Sequence, residues 1–518
     1  MDYELTVATI LRRAETLHAH KEIVSRRPDR SLERTTYGSV CRRARALGSA
    51  LAVARGDRVA TLCWNHAEHL EIYLGVPIAG GVVHTLNLRL HPDDLAGVAA
   101  HGGDRVLIVD ESLVPLADQF VPRTEIERVI VVGDEYEELL ASGDPEAPLP
   151  DLGEGEAAAM CYTSGTTGQP KGVLYSHRAL VLHSLASMAS GVLGVGEADV
   201  VMPVVPMFHA NAWGLPYTCA LAGASLVFPG PHLDPATLLE TLEAERVTIT
   251  GGVPTIWLGI LQLLDESPGR YDLSRLRTMI VGGSAAPRAL IEGLERRHGL
   301  HVLHAWGMTE LAPLGTVAVL PGELEQADEE ERLAFRATQG RPAPLVEIRA
   351  RGVAGLVPWD GETMGELEVR GGWIASAYHD APEAADRWTD DGWFRTGDIV
   401  TIDALGAITI QDRAKDVIKS GGEWISSVAL ENALMAHPAV AEAAVIGVPD
   451  ERWQERPLAA VVLRGEATAD ELRAFLAADF ARWQLPERFE FVDEIPKTAV
   501  GKFRKTALRE RFATPAAI

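Results

Sequence analysis

Cysteine is scarce in this chain: four residues in 518, Cys41, Cys63, Cys161 and Cys219, lie far apart and never form a C-x-x-C pair. That spacing offers neither a disulfide framework nor a zinc site, and it predicts reduced thiols in a cytoplasmic protein. Positive charge is also in deficit, with 48 Lys and Arg against 73 Asp and Glu, a formal net charge of −25. Nucleic-acid binding calls for clustered cations, so no nucleic-acid partner is expected, and the acidic balance chiefly aids solubility. No apolar run reaches the roughly 18 residues of a membrane span. The start, Met1-Asp2-Tyr3-Glu4-Leu5, lacks a basic region followed by an apolar one, so the expectation is a soluble, unexported chain with no integral membrane segment. Internal repeats, coiled-coil heptads and low-complexity tracts are missing too.

What is present is globular: 47% of residues are hydrophobic and 23% charged. At roughly 150 residues per unit the length predicts three or four structural units. Short apolar runs such as Arg128–Val132 and Thr278–Val281 alternate with helical patterns. This predicts an α/β fold, with a large N-terminal domain of α/β subdomains built on mostly parallel sheets. A boundary is expected at Asp412-Arg413-Ala414-Lys415-Asp416, giving domains 1–412 and 413–518. The second is expected to be a small α+β lid, with a Thr468/Glu471 capping box opening a helix on whose apolar face lie Leu472, Phe475, Leu476, Phe480 and Trp483. The acidic stretch from Glu323 to Arg336 reads as a solvated helix.

The segment that organises the rest is Tyr162-Thr-Ser-Gly-Thr-Thr-Gly-Gln-Pro-Lys-Gly-Val173, which follows the apolar run Ala157–Cys161. Gly165 and Gly168 let the backbone approach a polyanion, while Thr163, Ser164, Thr166, Thr167 and Lys171 supply hydroxyls and charge, so the loop is suited to phosphates. It is not the common P-loop: the position five after Gly165 is Pro170, and five after Gly168 is Val173, where that motif requires glycine. Further on, Gly282-Gly283-Ser284-Ala285-Ala286 nearly spells a serine-hydrolase elbow, but Ala286 occupies the place of the second glycine.

The loop resembles the phosphate-binding signature of the adenylate-forming superfamily, which includes acyl-CoA synthetases, luciferases and peptide-synthetase adenylation domains. Four more segments match that family in order: Gly282-Gly283-Ser284, Ala305-Trp306-Gly307-Met308-Thr309-Glu310, Arg395-Thr396-Gly397-Asp398 with Arg413, and Lys502. The resemblance implies ATP/AMP contacts from the loop, the Gly-Gly-Ser turn, Ala305 to Met308, Asp398, Arg413, Lys419 and Trp424. It also implies Mg2+ ligation by Thr163 and Glu310, and catalytic roles for Lys171, His209, Thr309, Glu310 and Lys502. Trp306 departs from the family's commoner tyrosine.

By the same resemblance, a carboxylate attacks the α-phosphate of ATP, pyrophosphate leaves, and a thiol takes the acyl group from AMP, with the lid turning about Lys415 between the halves. The stretch Pro206–Pro216, with Trp213 as an acyl gate, looks most like that of medium- and long-chain fatty acyl-CoA synthetases, whose co-substrates are ATP and CoA. A homodimer through the large domain is also implied. The alternatives are an aryl-acid CoA ligase, an enzyme with another acceptor (a carrier protein, or a diazotase activating nitrite), and a nucleotide-binding protein without turnover.

Overall fold

The computed structural model describes residues 3–163, 170–421, 423–450, 452–496 and 503–512. The chain divides into two compact units, residues 1–347 with 370–392 and residues 348–369 with 393–518.

The first unit contains a nine-stranded and a six-stranded sheet. In the larger, Val302–Gly307, Thr278–Val281, Ile249–Gly252, Val200–Pro203, Ser225–Phe228 and Glu22–Arg26 lie side by side and parallel. Antiparallel strands extend both edges. Thr278–Val281 and Ile249–Gly252 are buried along their whole length, as strands covered by helices on both faces must be. Trp257 fixes one such helix, Pro254–Glu266, because its buried indole N–H donates to the carbonyls of Gly252 at 3.1 Å and Ile280 at 3.2 Å. The smaller sheet runs Arg128–Val132, Asp104–Asp110, Arg58–Leu62, Val82–Thr85, Ala157–Tyr162, Gly172–Ser176, parallel except for the last strand. The α/β reading with mostly parallel sheets is borne out.

The second unit is built on two smaller sheets. One is the antiparallel set around Gly365–Gly371, Phe394–Ile402 and Ile408–Arg413. The other pairs Val440–Asp450 with Gln454–Leu463 and packs Leu430, Leu434 and Leu472 against Val445 and Val461. The helix Ser427–Ala436 is tied to Ile408–Arg413, since Asp412 accepts from both the backbone N–H and the hydroxyl of Ser427 at 2.6 Å. Lys505 reaches the same place, 2.6 Å from Ser427 Oγ and 2.7 Å from Glu431.

The predicted capping box is present: Thr468 accepts from Glu471 N–H, and the Glu471 carboxylate accepts from the Thr468 N–H. The long apolar face behind it is not. The helix ends at Leu476, leaving Phe475 40% exposed, and Trp483, on a separate turn at Arg482–Gln484, is 42% exposed. Only Leu472 and Leu476 are buried in this helix. The acidic stretch is likewise shorter than expected, a helix over Glu329–Ala337 capped by Asp328, and it buries Leu333 and Phe335. Among the described residues no helix is long and apolar enough to cross a membrane.

Candidate active site

Parallel strands place the residues that follow them at one edge of the sheet, the usual location for ligand-binding groups in α/β folds. Here Val281 leads into Gly282-Gly283-Ser284, Gly307 into Met308-Thr309-Glu310, and Pro203 into Val204–His209, from strands of one parallel set. Segments separated by a hundred residues in sequence thus share an edge.

The phosphate loop leaves the smaller sheet after Tyr162 and returns as Gly172–Ser176. Its ends are pinned, Thr163 N–H donating to Lys171 O at 2.9 Å and Lys171 N–H to Thr163 Oγ1 at 3.0 Å. Ser164, Gly165, Thr166, Thr167 and Gly168 lie outside the described residues, as does Lys502.

Thr309 and Glu310 are buried, at 9% and 5% exposure, and held from two sides. The Tyr175 hydroxyl donates to Thr309 O at 2.7 Å, and Ala375 N–H donates to Glu310 O at 2.8 Å. The Glu310 carboxylate accepts from the Tyr378 hydroxyl. Burial and the neighbouring Glu310 hold the Tyr378 phenol above its ordinary range, so it stays a donor. Lys171 Nζ lies 5.8 Å from the centre of the Tyr378 ring. One tyrosine, not foreseen from sequence, thus joins the phosphate-loop lysine to the expected cation-binding acid. A phenol adds no charge of its own to the carboxylate it partners, and carboxylate oxygens are ligands that a hard divalent cation takes. The residues therefore fit the expected Mg2+.

A second unforeseen feature lies at 210–214. Ala210, Asn211, Ala212, Trp213 and Gly214 have φ of 43°, 54°, 49°, 57° and 71°, a left-handed turn of four non-glycine residues and one glycine. Left-handed helical backbone costs roughly 1–2 kcal/mol per L-residue, so surrounding contacts must hold it. They are present: Cys161 Sγ donates to Asn211 Oδ1 at 3.1 Å, Thr85 Oγ1 to Phe208 O at 3.2 Å, and Asn65 Oδ1 accepts from Met207 N–H at 2.7 Å. The turn lays the Trp213 indole on a floor of glycines. A methyl group built on Gly251, Gly282 or Gly283 would lie 3.6, 3.1 or 3.8 Å from that ring. The Gly-Gly-Ser turn and Trp213, the tryptophan expected to act as a gate, therefore meet. His209 sits just before this turn, partly buried. Beneath it, His183 is fully buried against the Trp373 ring, 5.9 Å away edge-on, and burial pulls its pKa down to about 4.

In the second unit Asp398 is 1% exposed and pairs with Arg413, 2.9 Å away on the adjacent strand. Gly397, at φ 74°, accepts from Ala414 N–H at 2.8 Å, which ties the two strands together beside the pair. Lys415 is exposed beyond it, where Arg413 O accepts from Asp416 and Val417 N–H, each at 2.8 Å. Lys419 pairs with Trp424 across a short hairpin. Burial raises the Asp412 and Glu431 carboxyls above their ordinary values, against the opposing pull of Lys505.

With this geometry established, comparison with known proteins is direct. Residues 11–379 match the AMP-binding enzyme family model, and residues 429–502 match the AMP-binding enzyme C-terminal domain. The chain belongs to the AMP-binding enzyme family. This enzyme is 49% identical to the long-chain-fatty-acid–CoA ligase of Thermus thermophilus, over 99% of its own length and 96% of the relative's. It is 44% identical to the 3-methylmercaptopropionyl-CoA ligase of Ruegeria pomeroyi, over 98% and 97% of the two chains. Among solved structures it resembles ATP-bound MatB from Rhodopseudomonas palustris, with a TM-score of 0.84 and 26% identity over 99% of each chain. The enzyme class expected from the sequence, an AMP-forming acid–thiol ligase, is therefore borne out.

Proposed function

We propose that this AMP-binding enzyme converts a medium- or long-chain fatty acid, ATP and CoA to the acyl-CoA thioester, AMP and pyrophosphate, by way of an acyl-adenylate. The supporting observation is the contact of Lys171, Tyr378 and Glu310 in the unit where Trp213 lies on the Gly282-Gly283 turn. Attack of one anion on another is limited by electrostatics, so the barrier is lowered by cations aimed at the developing charge. Lys171 supplies one from the phosphate loop and Lys502 another. Glu310 and Thr163 would hold Mg2+ with the nucleotide, and the metal, when bound, neutralises phosphate charge. Asp398 accepts from the ribose hydroxyls, the backbone of Ala305 to Met308 and the Gly-Gly-Ser turn hold the adenine, and Lys419 and Trp424 complete the nucleotide contacts from the lid.

In this proposal the functional domains are 1–412 and 413–518. Rotation about Lys415 removes Lys502 after adenylation and brings another face of the lid to thioester formation. His209 orients the acyl or thiol group, and Trp213 closes an apolar acyl tunnel. The enzyme acts in the cytoplasm as a homodimer.

The two relatives named above act on aliphatic acids, according to their names, which supports the aliphatic reading over the aryl one. They differ in chain length, and this makes the length series decisive. A panel of acids from C2 to C18, with 3-methylmercaptopropionate, benzoate and cinnamate, is scored for ATP- and CoA-dependent AMP release. Each methylene buried in a tunnel contributes roughly 0.8 kcal/mol, so kcat/KM should climb along the series to a plateau. A maximum at a three-carbon acid, or at an aryl acid, would overturn the chain-length assignment. Pyrophosphate release without any CoA-dependent product would overturn the acceptor.

A further inference from the structure

Segment 373–388 of the first unit contains none of the motif residues, yet it touches two of them. Ala375 N–H donates to Glu310 O at 2.8 Å, and His379 N–H donates to Gly172 O, next to Lys171, at 2.9 Å. Between those two anchors stands Tyr378, whose hydroxyl donates to Glu310 Oε1 and whose ring faces Lys171 Nζ at 5.8 Å. The tyrosine is itself well seated. It is 8% exposed, Trp388 packs edge-on against it with ring centres 5.2 Å apart, and the Trp388 indole N–H donates to Ala375 O at 2.9 Å.

We propose that Tyr378 is a positioning residue for adenylation: its hydroxyl fixes the Glu310 carboxylate for cation binding, while its ring supports the Lys171 ammonium. The proposal rests on the reading of Glu310 as a cation ligand given above. A phenol is suited to the task because it donates one hydrogen bond without adding charge. An arginine or lysine there would steer the carboxylate equally well and would also cancel the charge that draws the metal. The aromatic face attracts a cation weakly enough to leave Lys171 available to phosphate. Groups that orient a metal ligand from behind typically affect metal affinity ten- to a hundredfold when removed.

The test uses the full-length enzyme with Mn2+ in place of Mg2+ and α,β-methylene-ATP, whose uncleavable α–β linkage prevents transfer of its adenylyl group. Mn2+ bound to the enzyme–nucleotide complex is read by electron paramagnetic resonance, and metal-free nucleotide affinity is read by calorimetry in EDTA. Tyr378→Phe should weaken Mn2+ binding about tenfold and leave metal-free nucleotide affinity within twofold of the parent, because the ring remains beside Lys171. Tyr378→Leu should lose both. A double variant, Glu310→Gln with Tyr378→Phe, should bind Mn2+ no more weakly than Glu310→Gln alone, since the hydroxyl acts only through that carboxylate. Parental Mn2+ affinity in Tyr378→Phe, with Glu310→Gln weakened, overturns the role of the tyrosine and leaves the proposed function intact. Additive losses in the double variant overturn it too. Parental affinity in Glu310→Gln overturns the metal assignment and the tyrosine's role together.

Discussion

Two buried carboxylates, one in each unit, are held in opposite ways. Glu310 is 5% exposed and accepts from a neutral phenol, whereas Asp398 is 1% exposed and lies 2.9 Å from a guanidinium. Burying a carboxylate is costly unless hydrogen bonds or charge compensate it. Asp398 receives both from Arg413, so what it can offer a ligand is directed hydrogen-bond acceptance. Glu310 receives from Tyr378 a hydrogen bond without a compensating charge, the arrangement that suits the proposed cation ligand. The partner, more than the acid, separates a group suited to a metal from one suited to a diol.

The largest effect should come from replacing the carboxylate that Tyr378 holds. Glu310→Gln should lower the adenylation rate at saturating ATP by roughly a hundredfold or more, the scale of losing one electrostatic contact to a transition state. Pyrophosphate release measured across a Mg2+ titration checks this, and a near-parental rate would erase the contrast. A smaller effect, of another kind, is expected from Asp398→Asn. The amide presents one acceptor oxygen in place of two and no longer neutralises Arg413, so KM for ATP should rise about twentyfold, within the range for hydrogen bonds to charged groups. The Mg2+ dependence should not move. A shift in metal requirement in this variant would mean that the two acids are not functionally distinct.

A third buried group sharpens the comparison through stability alone, with no expected effect on the adenylation rate at neutral pH. His183 has neither kind of support, since its Nε2 has no hydrogen-bond partner among the described residues, and burial lowers its pKa to about 4 from the ordinary 6.5. The folded state therefore resists a proton that the unfolded chain accepts. Its contribution is intact above about pH 6.5 and is lost as pH falls towards 4, with a limiting slope of about 1.4 kcal/mol per pH unit. Denaturant unfolding of the parent and of His183→Phe between pH 4 and 7 checks the sign. The variant should show the shallower decline, and identical slopes would mean that His183 is protonated in the fold.

These three groups were not equally legible in the sequence. Strands such as Thr278–Val281 and Arg128–Val132 are legible because short apolar runs ended by glycine leave little else to form. Glu310 and Asp398 were legible because they sit inside ordered motifs with glycine and threonine at fixed offsets. Their partners were not equally so. Arg413 belongs to such a motif, while Tyr378 lies in Ala-Ser-Ala-Tyr-His, where nothing marks it, 68 residues from the acid it holds. The lid helix was overextended because Phe475, Phe480 and Trp483 continue a helical period in sequence, although the backbone leaves the helix after Leu476. The turn at 210–213 was hidden for a deeper reason. Alanine and tryptophan have no intrinsic preference for left-handed backbone, so tertiary contacts alone impose it.

Selection for heat resistance would bear directly on that turn. Glycine adopts positive φ without a Cβ clash, so Ala210→Gly and Ala212→Gly would relieve more strain in the fold than the roughly 0.4–1 kcal/mol lost to a freer unfolded chain. The same exchange would loosen the backbone that seats the Trp213 indole on its glycine floor. A lineage that gained melting temperature here would do so by surrendering a firmly placed aromatic ring, so thermal adaptation and the seating of Trp213 are set against each other at two alanines.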